Sequence, residues 1–383
     1  MKTLSQSLTD PAFVQNPYPF YKRARAAGEL VYWNEYSRIC ATSYAAVNHF
    51  LRDRNWGREI PRGFAKSISK KIQPFMDIEE HSMLELDPPR HTKLRTSVLR
   101  SFTSARIKSL APEIETLANQ LIDSFDNTPD LLPAFCTPIP VTIIARLIGA
   151  PESDAPLLLD WSHKMVTMYQ ASRTPADEDA AAGASRDFAS YLYNLQTERI
   201  KQPRQDLISA LLTHSSTKLS GPELTSTCIL LLNAGHEATV HAMANATKTF
   251  LQTGTKPTKP SIEESLRYDP PLHLFERHAK SEVEAFGHNF KRGDTVACLL
   301  ASANRDVKNF EAPETFQPKR TKNPHVSFGQ GMHFCLGAPL ARLELQVALK
   351  TLFNRCPNMR LAAKPSYTNN YHFHGLTSLK VII

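Results

Sequence analysis

The chain has 383 residues, 42% of them hydrophobic and 21% charged, and its 45 lysines and arginines exceed its 37 acidic residues to give a formal charge of +8. That much apolar material excludes pervasive disorder, and the basic excess is scattered: its densest run, Lys66 to Lys71, lacks the interleaved aromatics of a single-strand groove, which argues against nucleic acid as a partner. The six cysteines include no C-x-x-C pair, and no leader or bilayer-length apolar run is readable, so the expectation is a cytoplasmic protein in a reducing compartment, without membrane contact.

In chain order, Leu30 to Trp33 and Arg38 to Ala41 read as strands. Ile114 to Phe125 and Val141 to Ile148 carry apolar residues at helical spacing. Arg173 to Gly183, rich in alanine and acidic residues with one proline, reads as an exposed connection. Helical spacing returns over Phe188 to Ile200 and Cys228 to Phe250, and strand character at Thr295 to Leu300 and Leu379 to Ile383. Gln252 to Lys259 is too brief a linker to separate two domains, and no solenoid repeat is present, so residues 1–383 are expected to form one mainly helical domain with a small β region.

Phe328 to Glu344 reads FGQGMHFCLGAPLARLE. Gly329, Gly331 and Gly337 suit tight backbone geometry and close approach to a flat ligand, and a helix starting near Ala338 would aim its amide dipoles at Cys335, favouring thiolate. A lone cysteine is more often a buried small hydrophobe; the surrounding pattern reverses that preference. In EESLRYDPP, Glu264 and Arg267 share a helix face, which by itself means only a surface ion pair worth less than about 1 kcal/mol. In DPPRHTKLR, His91 and Arg95 lie one turn apart and either donate to one anion or form a solvated basic turn.

Phe328, Gly329, Gly331, His333, Cys335, Gly337, Leu340, Ala341, Arg342 and Glu344 match F-G-x-G-x-H-x-C-x-G-x-x-L-A-R-x-E, the haem-binding signature of the cytochrome P-450 superfamily. The chain resembles its bacterial haem-thiolate monooxygenases from DPAFVQNPYPFYKRAR near the N-terminus to FHGLTSL at Phe373 to Leu379. The resemblance implies a single-domain, triangular helical prism holding haem b. In it Cys335 is the axial and only protein ligand of the iron, His333 lies near a propionate and Phe328 packs beside the thiolate. It also implies a Glu264, Arg267, Arg320 structural lock and propionate contacts from His91, Arg95 and Arg277.

NAGHEAT, Asn233 to Thr239, is similar to the family's distal helix, with Ala234 and Gly235 over the haem, Gly235 making room for oxygen and Glu237 relaying protons. The threonine usual after the acid is replaced by Ala238. Thr239 comes one residue later, about 100° around the helix, and either contributes a hydroxyl or only packs. Thr253 to Pro260 is short, so an extra helix common in the family is expected to be missing.

By the same resemblance, the substrate pocket includes Asn233, Leu272, His273 and Phe373. Its polar positions, with His372 and His374, point to a small or oxygenated substrate. The implied reaction inserts one atom of dioxygen, as hydroxylation or O-dealkylation. The chain carries no flavin or iron–sulfur segment, so electrons would pass from NAD(P)H through an external ferredoxin reductase and a ferredoxin docked on Arg100, Arg106 and Lys108 of a monomer. A peroxide-using enzyme, an enzyme acting on a carrier-bound substrate and a non-catalytic haem-thiolate gas or redox sensor remain open alternatives; Glu237 argues against the sensor.

Overall fold

A computed structural model describes residues 1–64, 69–170, 173–213, 219–371 and 373–383, so His372 and Lys66 lie outside the described residues. The centre of the molecule is a 33-residue helix, Gly221–Thr253. Its start is set by a reciprocal capping box between Ser220 and Glu223, and its end by Gly254 in the left-handed region at φ 64°, which satisfy backbone groups that a helix end otherwise leaves without partners. Helices Pro138–Ile148, Ala155–Val166, Pro175–Lys201 and Ala338–Arg355 all pack against it. One large apolar cluster runs through these helices.

Arg173 to Gly183 is not a connection. Most of it is the opening of the 27-residue helix Pro175–Lys201, whose Thr174 forms a capping box with Asp177 and whose Ala181, Ala182 and Ala184 are buried. Proline at the first helical position and acidic residues in the first turn are start signals rather than breaks, which is why the segment continues into the helix. Between Thr253 and the next helix, Lys259–Tyr268, no helix intervenes; Thr258 caps the latter. The expected shortening is present.

The β region is a six-stranded mixed sheet in the order Lys2–Leu4, Leu30–Trp33, Arg38–Ala41, Thr295–Leu299, Leu274–Ala279, Trp56–Gly57, with two small antiparallel pairs, Val283–Ala285 with His288–Phe290 and Arg360–Leu361 with Val381–Ile382. Strand Arg38–Ala41 runs parallel to Thr295–Leu299, with Cys40 opposite Ala297, and Thr295–Leu299 runs antiparallel to Leu274–Ala279, with Arg277 opposite Val296. This pairing places Arg277, buried, on a strand flanked on both sides. Two further apolar clusters, one around Phe50 and Trp56 and one around Trp33 and Tyr21, occupy the sheet's surroundings. Among the described residues no helix is long and apolar enough to cross a membrane.

Candidate active site

Cys335 sits between a short 3-10 turn, Gly331–His333, and helix Ala338–Arg355. Its N–H donates to the Phe328 carbonyl at 2.9 Å, closing the loop. Gly331 has φ +72°, and a Cβ there would fall 2.4 Å from the Leu51 carbonyl oxygen; only glycine lets the loop seat against that earlier helix. Gly329 is also left-handed, at φ +68°. Gly337 is not: its φ is −79°, and a Cβ would lie 3.9 Å from the Cys335 sulfur, so its use is space beside the sulfur rather than backbone freedom.

Phe328 is held by the Arg342 guanidinium 4.4 Å above its ring, and Arg342 by Glu263 at 2.6 Å. Although burial favours the neutral acid, His325 and Arg342 together bring the Glu263 carboxyl down to about 2. The same loop sets the charge of the sulfur. Burial raises the Cys335 thiol's pKa, against the pull of the Gly337 and Ala338 amides and the Arg95 and Arg342 charges. The helix start therefore acts in the expected direction but is outweighed, and a thiolate here calls for a cation bound to the sulfur itself.

Around this loop lie cationic groups without matching anions. Arg277 is 3% exposed, and its one hydrogen bond to a described residue goes to the Glu276 carbonyl at 2.8 Å. Burial, reinforced by the Arg58 charge, lowers its pKa to about 10. Arg95 donates to the Phe334 carbonyl at 2.7 Å. His91, its ring 4.4 Å from that of His333, is lowered to about 4 by burial and by the charges of His333 and Arg95. Asp87, which the sequence did not single out, accepts from His333 Nε2 at 3.2 Å and is also approached by Lys280 at 3.5 Å. Buried cations need anions, and neither Arg95 nor Arg277 forms an ion pair with a described residue.

Midway along the central helix, Ala234 is exposed and Ala238 half-exposed while Asn233, His236 and Thr239 are buried. The small side chains one turn apart make a low, apolar, accessible stripe on one face. Leu230 of this helix and Leu336 of the cysteine loop pack on the same small cluster, Met83, Leu86 and Leu94. A flat group with apolar faces and an anionic edge fits the sulfur, the alanine stripe and the cationic groups together. A Cβ at Gly235 would meet Ile144 at 3.3 Å, so the missing side chain permits close packing of the central helix on Pro138–Ile148. Thr239 donates its hydroxyl to the Gly235 carbonyl at 3.1 Å, the packing use of the two expected.

Glu237 is surrounded by imidazoles that the sequence reading missed: His163 Nε2 at 3.4 Å, His236 Nε2 at 3.3 Å and His241 Nε2 at 3.5 Å. Although burial opposes ionisation, the three histidines hold its carboxyl well below the ordinary range. The i, i+4 spacing of Glu237 and His241 was a readable signal. His163 comes from helix Ala155–Val166 and carried none.

Glu264, Arg267 and Arg320 meet as the lock. Glu264 accepts from Arg267 Nε at 2.8 Å and Nη2 at 2.7 Å, from Gln317 N at 2.8 Å, Asn323 Nδ2 at 3.1 Å and Arg320 Nε at 3.3 Å. Leu272 and Phe373 bridge to each other across two segments. His273 Nδ1 is 2.9 Å from the Tyr21 hydroxyl, and His374 stacks on Tyr367 at 3.7 Å with Nε2 3.6 Å from Asp269. Asn233 Oδ1 and His273 Nε2 are both buried without a hydrogen-bond partner, and His372 lies outside the described residues.

Glu344, within the cysteine helix, is raised to about 8 by burial alone. A carboxyl whose folded pKa exceeds its unfolded value contributes stability that is complete below the unfolded pKa and is lost as pH rises through the folded one, here between about 4 and about 8. Glu344→Gln is therefore expected to match the parent near pH 4 and to exceed it by on the order of 2 kcal/mol near pH 9, read as urea midpoints across that range. A pH-independent difference would contradict the buried-acid account.

Comparisons with known proteins agree with this geometry. The family model for cytochrome P450 matches residues 257–360. The chain is 35% identical over 395 residues to polyketide biosynthesis cytochrome P450 PksS of Bacillus subtilis (strain 168), covering 96% of each chain. It is 33% identical to cytochrome P450 monooxygenase PikC of Streptomyces venezuelae, covering 96% of this chain and 91% of that one. Among solved structures, P450BioI in complex with hexadec-9Z-enoic acid ligated acyl carrier protein superposes with a TM-score of 0.91 at 31% identity, over 97% of this chain and 99% of that one.

Proposed function

This chain belongs to the cytochrome P450 family and is a monooxygenase, and from that premise we propose that it inserts one oxygen atom into a small, oxygenated organic substrate, with electrons from NAD(P)H delivered by an external ferredoxin reductase and ferredoxin. The observation that carries the reading is Cys335 at the tip of a loop closed on Phe328 and surrounded by cations that lack anions.

Haem, the family's cofactor, would take Cys335 as its protein ligand, with Arg95, Arg277, His91 and His333 at its propionates and Phe328 beside the sulfur. When bound, it supplies the activation of dioxygen, favoured by the electron-donating thiolate. The chain's own residues do the rest. Ala234 and Ala238 keep the distal face low enough for a small substrate. Glu237 holds the position from which protons move inward, and His163, half-exposed, connects it to solvent. With Ala238 lacking a hydroxyl and that of Thr239 donated to its own helix, the last link is a water or a substrate hydroxyl. Asn233 Oδ1 offers an acceptor to such a hydroxyl. Arg100, Arg106 and Lys108, on helices Arg90–Ser101 and Ser104–Ser109, suit an acidic ferredoxin.

The monooxygenase relatives weigh against the sensor alternative. A carrier-bound substrate remains the second reading, because P450BioI was solved with an acyl-loaded carrier protein and the charge of +8 suits an acidic carrier. The deciding experiment reconstitutes the purified protein with ferredoxin, its reductase and NADH, and screens free and carrier-linked compounds by the spin-state shift and by oxygenated product. Oxidation of a free oxygenated compound is expected, slowed about 100-fold or more by Glu237→Gln at unchanged haem content. Product from carrier-linked acyl chains alone would select the second reading, and product from peroxide alone a peroxygenase.

A further inference from the structure

The histidines around Glu237 have a geometry that proton transfer does not require. His236 Nδ1 lies 2.8 Å from the Leu232 carbonyl four residues earlier. A carbonyl accepts only, so Nδ1 carries the proton, and in the neutral ring Nε2 is left with a lone pair. That Nε2 is buried without a hydrogen-bond partner and is aimed at Glu237 Oε2, 3.3 Å away. His163 Nε2 reaches the same oxygen at 3.4 Å from the neighbouring helix, and the three donor atoms lie within 4.8 Å of one another.

With Nδ1 committed to the carbonyl, Nε2 can meet the carboxylate oxygen in two ways: as the N–H of an imidazolium, or as a lone pair with a metal cation held between the two donors. A tetrahedral ion with bonds of about 2.0–2.1 Å to nitrogen or oxygen sets its donors about 3.3 Å apart, which matches the distances of both histidine nitrogens from Glu237 Oε2, 3.3 and 3.4 Å. A metal-binding histidine whose other nitrogen donates to a backbone carbonyl is the usual arrangement around such ions, because it fixes tautomer and ring orientation. His241 Nε2, 3.5 Å from Glu237 Oε1, is placed to orient the carboxylate from its other side. The His163 side chain is 53% exposed, giving an ion a path from solvent and leaving a coordination position for water.

We propose that His163 Nε2, His236 Nε2 and Glu237 Oε2 form a binding site for a divalent transition-metal ion of the zinc type, separate from the haem. A consequence, resting on the proton role proposed for Glu237, is that the occupied site slows turnover by withdrawing that carboxylate from proton delivery.

The test uses the haem-loaded protein and Zn²⁺. Equilibrium dialysis with metal analysis is expected to find one Zn²⁺ per chain whose affinity falls by more than about 100-fold in His163→Ala, a half-exposed position whose loss leaves the fold and haem spectrum intact. His236→Ala provides a second ligand deletion, checked by its haem spectrum. Absence of saturable binding, or binding unaltered by His163→Ala, overturns the site without touching the family reading. Zn²⁺ is further expected to slow NADH-driven product formation in the parent but not in His163→Ala, each rate being taken relative to the same protein without Zn²⁺ because loss of His163 lowers the metal-free rate by itself. Binding without slowing would keep the site and overturn the role given to Glu237.

Discussion

Replacing Cys335 by serine is expected to abolish the red-shifted Soret band of the reduced, carbon-monoxide-treated protein and to reduce product formation to background, while the polypeptide folds as before. The side chains are close in size, so packing changes little. The chemistry changes more. A hydroxyl in the same buried setting has a far higher pKa than a thiol, and the Gly337 and Ala338 amides with Arg95 and Arg342, which already fall short of offsetting burial for sulfur, cannot ionise it. Only the thiolate gives the iron the electron density that promotes cleavage of the O–O bond. Absorption spectra before and after carbon monoxide, with circular dichroism as the folding control, decide the matter. A variant that retained the red-shifted band would remove Cys335 as ligand.

Arg267→Ala is expected to be the most destabilising single change outside the haem site, by about 3–5 kcal/mol. Arg267 and Glu264 are both fully buried. Losing the guanidinium leaves a buried carboxylate without its two shortest side-chain donors, and it also strands the Asn304, Pro313 and Thr315 carbonyls, which Arg267 satisfies at 2.9, 2.9 and 3.2 Å. Against a typical total of about 5–15 kcal/mol, that loss leaves little folded protein at elevated temperature. Arg267→Lys is not expected to rescue it, because one ammonium cannot reproduce a planar fork that serves a carboxylate and three carbonyls. Arg320→Ala is expected to cost less, its contacts to Glu264 being longer at 3.3–3.4 Å. Urea midpoints for the three variants give the order; equal losses for Arg267→Ala and Arg320→Ala would contradict it.

What could be read before folding was whatever a short window contains. The cysteine loop, the Glu264 and Arg267 pair and the Glu237 helix each lie within one turn or one motif, and so did their chemistry. The partners that complete them come from elsewhere in the chain. Asp87 reaches His333 across 246 positions, and Arg342 reaches Glu263 across 79. His163 approaches Glu237 only because two helices pack, and no local spacing announces that. A histidine in a loop, such as His273 or His374, has the same sequence signature whether it faces a ligand or a buried tyrosine, so the sequence does not separate the two uses. Arg173 to Gly183 was misread because its proline and acidic residues mark helix starts as well as loops.

The seating of Gly331 on the Leu51 carbonyl bears on how the molecule matures. The loop that presents the sulfur is shaped against a helix made some 280 residues earlier, and Arg277 and Arg95 come from two further regions of the chain. No stretch that emerges first during synthesis holds a finished cradle, so capture of the prosthetic group waits for the ends of the polypeptide to find each other.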